Sequence, residues 1–270
     1  AHYPHPVIEP PDARARVLFS AVADPRALAA EARGKGEPLK TDRRTSVRRI
    51  GASSAGPIVV KTITLKRPKD RLNALLGRTQ LQRQVRGARL LQSIGVATAE
   101  PLLLIRGGGR ETLVLRAAPG RPLLHLMDDL RRRRSDAPGF APQRAVARAI
   151  GQQIQRLSDA SLFNRDHKPS NLIVDLAGEA PTIAVIDAVA IRRDRLSIGG
   201  LRMLVSLMLE PLGCGCPPSR TMRMRVLLAA TTDDKRPDGA PLLARKAAWR
   251  AVEQAIEEHG DPTPKVNPLA

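Results

Sequence analysis

The sequence predicts an α+β protein with two lobes, a β-rich lobe followed by a short, mainly helical one. Two pairs of β-rich runs, each joined by a glycine-containing turn, lie within residues 46–63 and 101–115 and predict two hairpins. Apolar residues at helical spacing dominate the later sequence, over residues 142–160, 201–209, 219–230 and 242–258. We therefore expect a β-rich lobe over residues 41–118 and a helical lobe over residues 119–270, after a partly ordered leader over residues 1–40.

Length and composition fit a globular protein with an aliphatic core. The 270 residues suit one large domain or two lobes, and 42% are apolar although only 2% are aromatic. The two cysteines, Cys214 and Cys216, cannot build a disulfide framework and are a weak metal signal. No run approaches the roughly 18 apolar residues of a membrane span, and no signal-peptide pattern opens the sequence. We expect a cytoplasmic protein.

The net charge of +19 predicts anionic partners. Nucleic acid, an anionic membrane surface and phosphorylated or acidic small molecules all fit this charge, as does a simple bias of the source genome toward arginine. The scarcity of aromatic residues argues against a single-strand nucleic-acid binder, which stacks bases on rings. We expect a phosphorylated or acidic ligand or an anionic membrane surface as partner, and consider nucleic acid unlikely.

The first hairpin places a lysine on its second strand. The leader before it holds several prolines around a short helical segment, and we assign it no chemistry. The hairpin turn includes Gly51 and Gly56, but it is not a Walker A loop because Pro57 follows Gly56 where that motif continues toward Lys and Ser or Thr. Lys61 closes the sequence Val-Val-Lys in the second strand.

The helical run over residues 78–94 has an unusual polar face. It carries arginine and glutamine, and no acidic residue lies between Asp70 and Glu100. If this helix packs beside the strand of Lys61, a polar residue on this face could contact the lysine. The first candidate for that contact is Gln84, and Gln82 is the second. Either amide could accept a hydrogen bond from a lysine, but neither could neutralise its charge, so the bond would be about half as strong as a charge-assisted one.

One loop in the second lobe carries the strongest chemical signal. Asp166 is followed by Lys168 and then by Asn171, just before an apolar run that predicts a strand. This is the spacing of the kinase catalytic loop H-R-D-x-x-x-x-N, in which the aspartate accepts the proton of the attacking hydroxyl and the asparagine holds magnesium. A second apolar run ends at Asp187, where a kinase carries its other metal ligand.

With this loop as a reference, the upstream features take kinase roles. Lys61 matches the strand lysine of V-A-I-K, which pairs with the α and β phosphates, and Gln84 occupies the position of its helix glutamate. Four more residues are assigned to nucleotide binding by their place in the lid over the phosphates or in the Pro/Gly-rich hinge beside the adenine: Gly51, Gly56, Arg116 and Ala118.

Several positions depart from the kinase pattern. Asn164 stands for the first histidine of the loop, Ala188-Val189 stands for Phe-Gly, and the lid has few glycines. Only about a dozen residues separate Asp187 from the next helical run, so there is no long activation segment and no Ala-Pro-Glu sequence.

Over residues 46–230 the chain resembles the lipopolysaccharide kinase group, which includes the core heptose kinases and the Kdo kinases. The resemblance rests on Val60-Lys61-Thr62-Ile63, the helix end over residues 90–102, the hairpin and hinge up to residue 123, and the brief C-terminal lobe. It implies a small bilobal kinase that uses ATP and Mg²⁺ to phosphorylate sugars of the bacterial envelope lipid at the inner membrane face.

The resemblance also implies a role for each motif residue. Asp166 would be the catalytic base, and Lys168 would steady the γ-phosphate. Asn171 and Asp187 would hold Mg²⁺, and Lys61 would anchor the α and β phosphates. Phosphoryl transfer depends mainly on positioning and charge neutralisation, so these roles are mutually consistent.

Other functions remain open at this point. The missing helix glutamate and the glycine-poor lid would also suit a pseudokinase scaffold that binds nucleotide weakly or not at all. The charge of +19 would suit a basic nucleic-acid-binding module. An active protein kinase is disfavoured because there is no activation segment. The sequence does not identify the acceptor or the oligomeric state.

Overall fold

The computed structural model describes residues 16–132, 141–195, 198–231, 242–264 and 267–269. The chain divides into two compact units. The first comprises Ala1–Val85 and Ala99–Ala117, and the second comprises Arg86–Thr98 and Ala118–Ala270. The predicted lobes differ from these units in the segment Arg86–Thr98, which falls in the second unit because Ala88, Leu91 and Val96 are part of its apolar core.

The first unit is built on an antiparallel six-stranded sheet in the order β1-β5-β6-β4-β3-β2. Its strands are β1 Arg16–Ser20, β2 Glu37–Thr41, β3 Thr45–Ile50, β4 Ile58–Thr64, β5 Pro101–Gly107 and β6 Arg110–Arg116. Two helices, α1 Pro25–Glu31 and α2 Pro68–Leu75, accompany the sheet. A third helix, α3 Gln80–Ser93, begins in this unit and ends in the second. The two predicted hairpins, β3–β4 and β5–β6, are confirmed.

The predicted leader over residues 1–40 was expected to contain a short helical segment, and the structure has α1 there, with β1 before it and β2 after it. Asp24 caps α1 by accepting hydrogen bonds from the amides of the next turn at 2.9 and 3.0 Å, and Leu28 lies in the core of the first unit. The prolines hid the strands of this stretch from the prediction, because they occupy positions that tolerate proline. Pro25 begins a helix, and Pro38 lies on the edge strand β2.

The second unit is mainly helical. Its helices after α3 are α4 Leu123–Arg132, α5 Ala141–Asp159, α6 Gly199–Gly213, α7 Arg220–Ala230 and α8 Leu242–His259, and the last four confirm the predicted helical runs. Its short strands are β7 Arg121–Pro122, β8 Leu162–Asn164, β9 Leu172–Asp175, β10 Thr182–Val185 and β11 Ile191–Arg193. They form one sheet in the order β10-β9-β7 and a β11-β8 pair. Within the described ranges, no helix is both long and apolar enough to cross a membrane.

Two packed helices hold the short strands of the second unit. Ile154 and Leu157 of α5 and Met203 of α6 are buried together with Leu172 of β9 in one apolar cluster. α6 begins at Gly199, so only residues 188–198 separate it from Asp187, and the predicted absence of a long activation segment is confirmed. The loop of interest leaves β8 and enters β9, and therefore both of its ends are fixed in this core.

Candidate active site

The structure brings Asp166 and Asn171 into direct contact. A single turn of 3-10 helix, Pro169–Asn171, folds the loop back before β9. The side-chain amide nitrogen of Asn171 donates hydrogen bonds to Asp166 Oδ2 at 3.0 Å and to the Asp166 carbonyl oxygen at 3.1 Å. With its nitrogen committed to Asp166, Asn171 has its amide oxygen left as a ligand.

Asn164 supports this loop from the core. Its side chain is fully buried, and its Oδ1 accepts a hydrogen bond from the Asp166 amide at 3.1 Å. The Asn164 amide donates to the sulfur of Met203 at 3.4 Å, and its position in β8 pairs with Ile191 of β11. The substitution of asparagine for the usual histidine therefore retains a buried polar side chain that holds the Asp166 backbone.

His167, between the two predicted catalytic residues, is a buried residue that the sequence did not single out. Its ring is fully buried, and neither ring nitrogen has a hydrogen-bond partner within the described part of the chain. Burial lowers the pKa of His167 from 6.5 to about 4, because the charged form would have to leave water. The ring is therefore neutral at pH 7 and anchors the loop as an apolar group.

Asp187 is joined to the same loop through the backbone. The amide of Ile186 donates to the Asn171 carbonyl oxygen at 3.0 Å, which places the residue before Asp187 beside the end of the loop. The Asp187 carboxylate accepts a hydrogen bond from the Val189 amide at 3.2 Å and caps the short turn Ala188–Ala190.

The donor set of Asp187 and Asn171 fits magnesium. A carboxylate and an amide oxygen are the hard ligands that Mg²⁺ prefers, and it normally takes its remaining ligands from phosphates and water. In the part of the chain that the structure describes, no group of three or more His, Cys, Asp and Glu side chains could hold a metal by itself. A Mg²⁺ ion held by these two residues would keep its other positions for phosphate oxygens and water.

Gly87 of α3 packs closely against Ala188, the residue that follows Asp187. A Cβ atom placed on Gly87 of α3 would lie 2.0 Å from the carbonyl oxygen of Ala188, which is shorter than any real contact. Ala188 is 1% exposed beneath the helix. The two small residues let α3 pack directly on the turn after Asp187. Sequence reasoning missed this contact, although a lone glycine inside a helical pattern was an available signal.

In the first unit, Lys61 of β4 contacts the glutamine that the sequence ranked first. Lys61 Nζ donates to Gln84 Oε1 at 3.0 Å, and Gln84 is 2% exposed. Gln82, the second candidate, has a different role, because its Oε1 accepts from the amide and hydroxyl of Thr79 at 3.1 Å as part of a capping box at the start of α3. Lys61 is thus held here by a neutral amide.

The hairpin turn gives little support to Gly51 and Gly56 as phosphate-binding residues. Three of the backbone amides in the turn already have acceptors. Ser54 donates to Glu31 at 3.0 Å, Ala55 donates to the Ser53 hydroxyl at 3.2 Å, and Gly56 donates to the Ser53 carbonyl at 2.9 Å. Gly56 has a φ of +78°, which favours glycine for the turn itself, and a side chain on Gly51 would meet nothing within 4 Å. The turn bonds within its own unit.

At the predicted hinge, Arg116 and Ala118 differ. The Arg116 amide donates to the Glu100 carbonyl oxygen at 2.8 Å, and its guanidinium pairs with the Glu100 carboxylate at 2.8 Å. The amide of Ala117 is likewise used, by Pro57 at 2.9 Å. Of the two predicted residues, only Ala118 has an amide without a hydrogen-bond partner among the described residues.

Lys168 lies between two carboxylates. Its Nζ is 3.9 Å from Asp166 Oδ1 and 3.8 Å from Glu210 Oε1. Glu210, on α6, was not predicted, because nothing near it in the sequence indicates a contact with residues about 40 positions earlier. The structure therefore adds a second acidic side chain to the surroundings of the loop.

Two other features lie apart from these residues. A cavity of about 500 Å³ in the second unit contains none of the predicted site residues. It is lined by side chains of α5 and α7: Arg144, Arg148, Gln152, Gln155, Arg225, Leu228 and Ala229. Cys214 and Cys216 are free, and burial raises the pKa of Cys216 to about 11, so its thiol stays protonated at pH 7.

The comparisons with known proteins agree with the fold. No family model and no curated protein sequence matches the chain. Among 1789 matching chains of solved structures is one from a structure described as "WaaP in complex with acyl carrier protein". It matches with a TM-score of 0.59 at 18% identity, over 85% of this chain and 90% of that chain.

The chain therefore has a kinase-like fold with a β-rich first unit and a mainly helical second unit, as the sequence predicted. The predicted resemblance to the lipopolysaccharide kinases is confirmed at the level of the fold, since WaaP has the same architecture over most of both chains.

Proposed function

We propose that this protein is an ATP- and Mg²⁺-dependent phosphotransferase of the lipopolysaccharide kinase type. It transfers the γ-phosphate to the hydroxyl of a sugar or another non-protein acceptor. The observation that carries the proposal is the connected set of Asp166, Asn171 and Asp187. Asn171 bonds to Asp166 through its side chain and to the residue before Asp187 through its backbone.

Each residue has a role in this mechanism. Asp166, with 45% of its side chain exposed, accepts the proton of the attacking hydroxyl, and Lys168, with 38% exposed, contacts the γ-phosphate. Asn171 and Asp187 supply oxygen ligands for Mg²⁺, which offsets phosphate charge when it is bound. Lys61 binds the α and β phosphates. The amide of Ala118 is the better of the two hinge candidates for contact with the adenine.

The acceptor that we propose is an anionic sugar or a lipid-linked sugar. The net charge of +19 favours anionic ligands and contact with an anionic membrane surface, which would place the enzyme in the cytoplasm at the inner membrane face. The arginine-lined cavity between α5 and α7 adds local positive charge in the second unit. A nucleic-acid target lacks such support, because aromatic residues make up only 2% of the chain.

The direct test is Mg²⁺-dependent ATP consumption against a panel of envelope sugars, lipids and proteins. The Asp166→Ala variant should lose about 10² to 10⁴ in rate, which is the usual contribution of a positioned base. Asp159→Ala is the matched control, since Asp159 is an exposed aspartate at the end of α5. Turnover that is equal in Asp166→Ala and wild type would refute the proposal.

A pseudokinase scaffold is the second candidate function. Two observations favour it: Lys61 is held by a neutral amide, and the amides of the first hairpin turn are used internally. Thermal unfolding with ATP and Mg²⁺ separates the two functions. A ligand at 100 times its dissociation constant adds about 2.7 kcal/mol of stability, so the absence of any shift at millimolar ATP would favour the scaffold.

A further inference from the structure

Glu210 binds the middle of the candidate catalytic loop from the last turn of α6. The Ser170 amide donates to Glu210 Oε2 at 2.7 Å, and the Ser170 hydroxyl donates to Oε1 at 2.6 Å. Only 10% of the Glu210 side chain is exposed. Both carboxylate oxygens are therefore committed to one residue, and these two bonds fix the orientation of the carboxylate.

The same carboxylate is close to Lys168. Its Oε1, which accepts from the Ser170 hydroxyl, is 3.8 Å from Lys168 Nζ, and Asp166 Oδ1 is 3.9 Å from the same nitrogen. The ammonium is thus shared between two carboxylates at nearly equal distance. Without Glu210, the nearest anionic partner of Lys168 in the loop would be Asp166 alone, and an ion pair there would occupy the proposed base.

We propose that Glu210 is the positioning residue of Lys168. It holds the ammonium of Lys168 in a shared position, so that the Asp166 carboxylate remains accessible to an acceptor hydroxyl. Through Ser170, which directly precedes Asn171, it also keeps the proposed base and metal ligand in register. The catalytic consequence rests on the proposed phosphotransferase function, whereas the anchoring of the loop does not.

Two variants separate positioning of Lys168 from simple anchoring. In Glu210→Gln, the amide oxygen can still accept from the Ser170 amide, and the amide nitrogen can donate to the Ser170 hydroxyl, so the loop stays anchored while the charge beside Lys168 is lost. Ser170→Ala removes the bond from the Ser170 hydroxyl to Glu210. It keeps the bond from the Ser170 amide and the Glu210 charge beside Lys168. Neither change alters the volume of the site much.

Turnover and nucleotide affinity should move in different directions in Glu210→Gln. We expect kcat to fall about tenfold or more, because Lys168 then pairs with Asp166. The dissociation constant for the non-hydrolysable β,γ-imido analogue of ATP with Mg²⁺, measured by calorimetry, should stay equal or fall, since a negative charge near the phosphate-binding lysine has been removed. Ser170→Ala should keep kcat within about threefold of wild type.

Two results would overturn the positioning role. One is a kcat for Glu210→Gln within twofold of wild type. The other is weaker binding of the nucleotide analogue in Glu210→Gln, whatever its turnover, because a loop that has merely been disordered would lose affinity and rate together.

The anchor has its own test, which does not depend on activity. By NMR, the Ser170 amide should be protected from hydrogen exchange in wild type and in Glu210→Gln, and it should exchange at least about tenfold faster in Glu210→Ala. Equal exchange in all three proteins would refute the anchor itself. If wild type neither binds nor consumes ATP, the proposed function and the positioning role fail together, and the exchange result still decides the anchor.

Discussion

The loop of residues 166–171 and the nucleotide-binding features of the first unit are supported very differently. The loop is held by the buried side chain of Asn164, by Glu210 of α6 and by its own bond between Asn171 and Asp166. In the first unit, Lys61 has a neutral amide as its partner, and the hairpin turn bonds to itself and to Glu31. The comparison teaches that the residues proposed for proton transfer and metal binding are held from several sides, whereas those proposed for nucleotide binding have fewer supporting contacts.

The largest expected effect tests the stronger region. Asp187→Ala should lower Mg²⁺-dependent turnover by about 10² or more, because it removes the charged ligand that we propose for Mg²⁺. Asp175→Ala is a closely matched control. Asp175 is the last residue of β9, and Asp187 follows the end of β10 by two residues. The Asp175 carboxylate accepts from the Ala177 amide at 3.0 Å, as the Asp187 carboxylate does from the Val189 amide at 3.2 Å. Equal turnover of the two variants over a magnesium titration would contradict the assignment of Asp187.

The next effect concerns acid stability and His167. The pKa of this buried ring is about 4 in the folded protein, below its ordinary value of 6.5, so the unfolded chain takes up a proton first as the pH falls. The resulting stability is fully present above pH 6.5 and is lost as the pH falls towards 4, to a total on the order of 3 kcal/mol.

Replacing His167 removes this acid sensitivity. His167→Leu should lose clearly less stability than wild type between pH 7.5 and pH 4.5, as measured by urea unfolding, because leucine has no proton to gain. His125→Leu, at an exposed position of α4, should keep the acid sensitivity of wild type. If His167→Leu loses as much stability at acid pH as wild type does, groups other than His167 cause the acid sensitivity.

A smaller effect is expected from Gly87→Ala, which presses α3 against the turn after Asp187. Its Cβ would meet the Ala188 carbonyl, so we expect a loss of about 1 to 3 kcal/mol in unfolding free energy and a roughly tenfold higher Mg²⁺ requirement. Gly151→Ala makes the same kind of clash elsewhere, since its Cβ would lie 2.4 Å from the Val226 carbonyl oxygen. It should cost similar stability without changing the Mg²⁺ requirement. An equal rise of the Mg²⁺ requirement in both variants would argue against a link to Asp187.

The smallest expected effect is a gain in nucleotide affinity from a change in the first unit. Gln84→Glu puts a carboxylate in place of the neutral amide that accepts from Lys61 Nζ, and we expect nucleotide affinity to rise about three- to tenfold, measured by calorimetry. The gain is modest because the new carboxylate would be buried. Gln82→Glu, at the capping position, should leave nucleotide affinity unchanged. An affinity that falls in Gln84→Glu would show that the neutral amide is the better partner in this protein.

The sequence predicted the elements whose signal is local. Alternating apolar residues revealed the hairpins, and helical spacing revealed α5 to α8. The choice of Gln84 over Gln82 agrees with the geometry because the helical period of α3 limits which residues share a face. The strands β1 and β2 were missed because short edge strands with a proline carry little pattern.

The contacts that support the candidate site could not be predicted in the same way. Glu210 bonds to Ser170 across 40 positions of sequence, and Gly87 meets Ala188 only because α3 packs on that turn. These are properties of tertiary packing and depend on how several elements meet. The motif residues could be named from their spacing alone, but the side chains that hold them in place could not.

The close approach of Gly87 and Ala188 also bears on how such an enzyme would be controlled. Where phenylalanine follows the metal-binding aspartate, the packing of its ring sets active and inactive states. This chain has a methyl group there, packed beneath a glycine, so there is no ring to move out of place. We therefore expect the proposed phosphotransferase to lack a ring-based switch at this position.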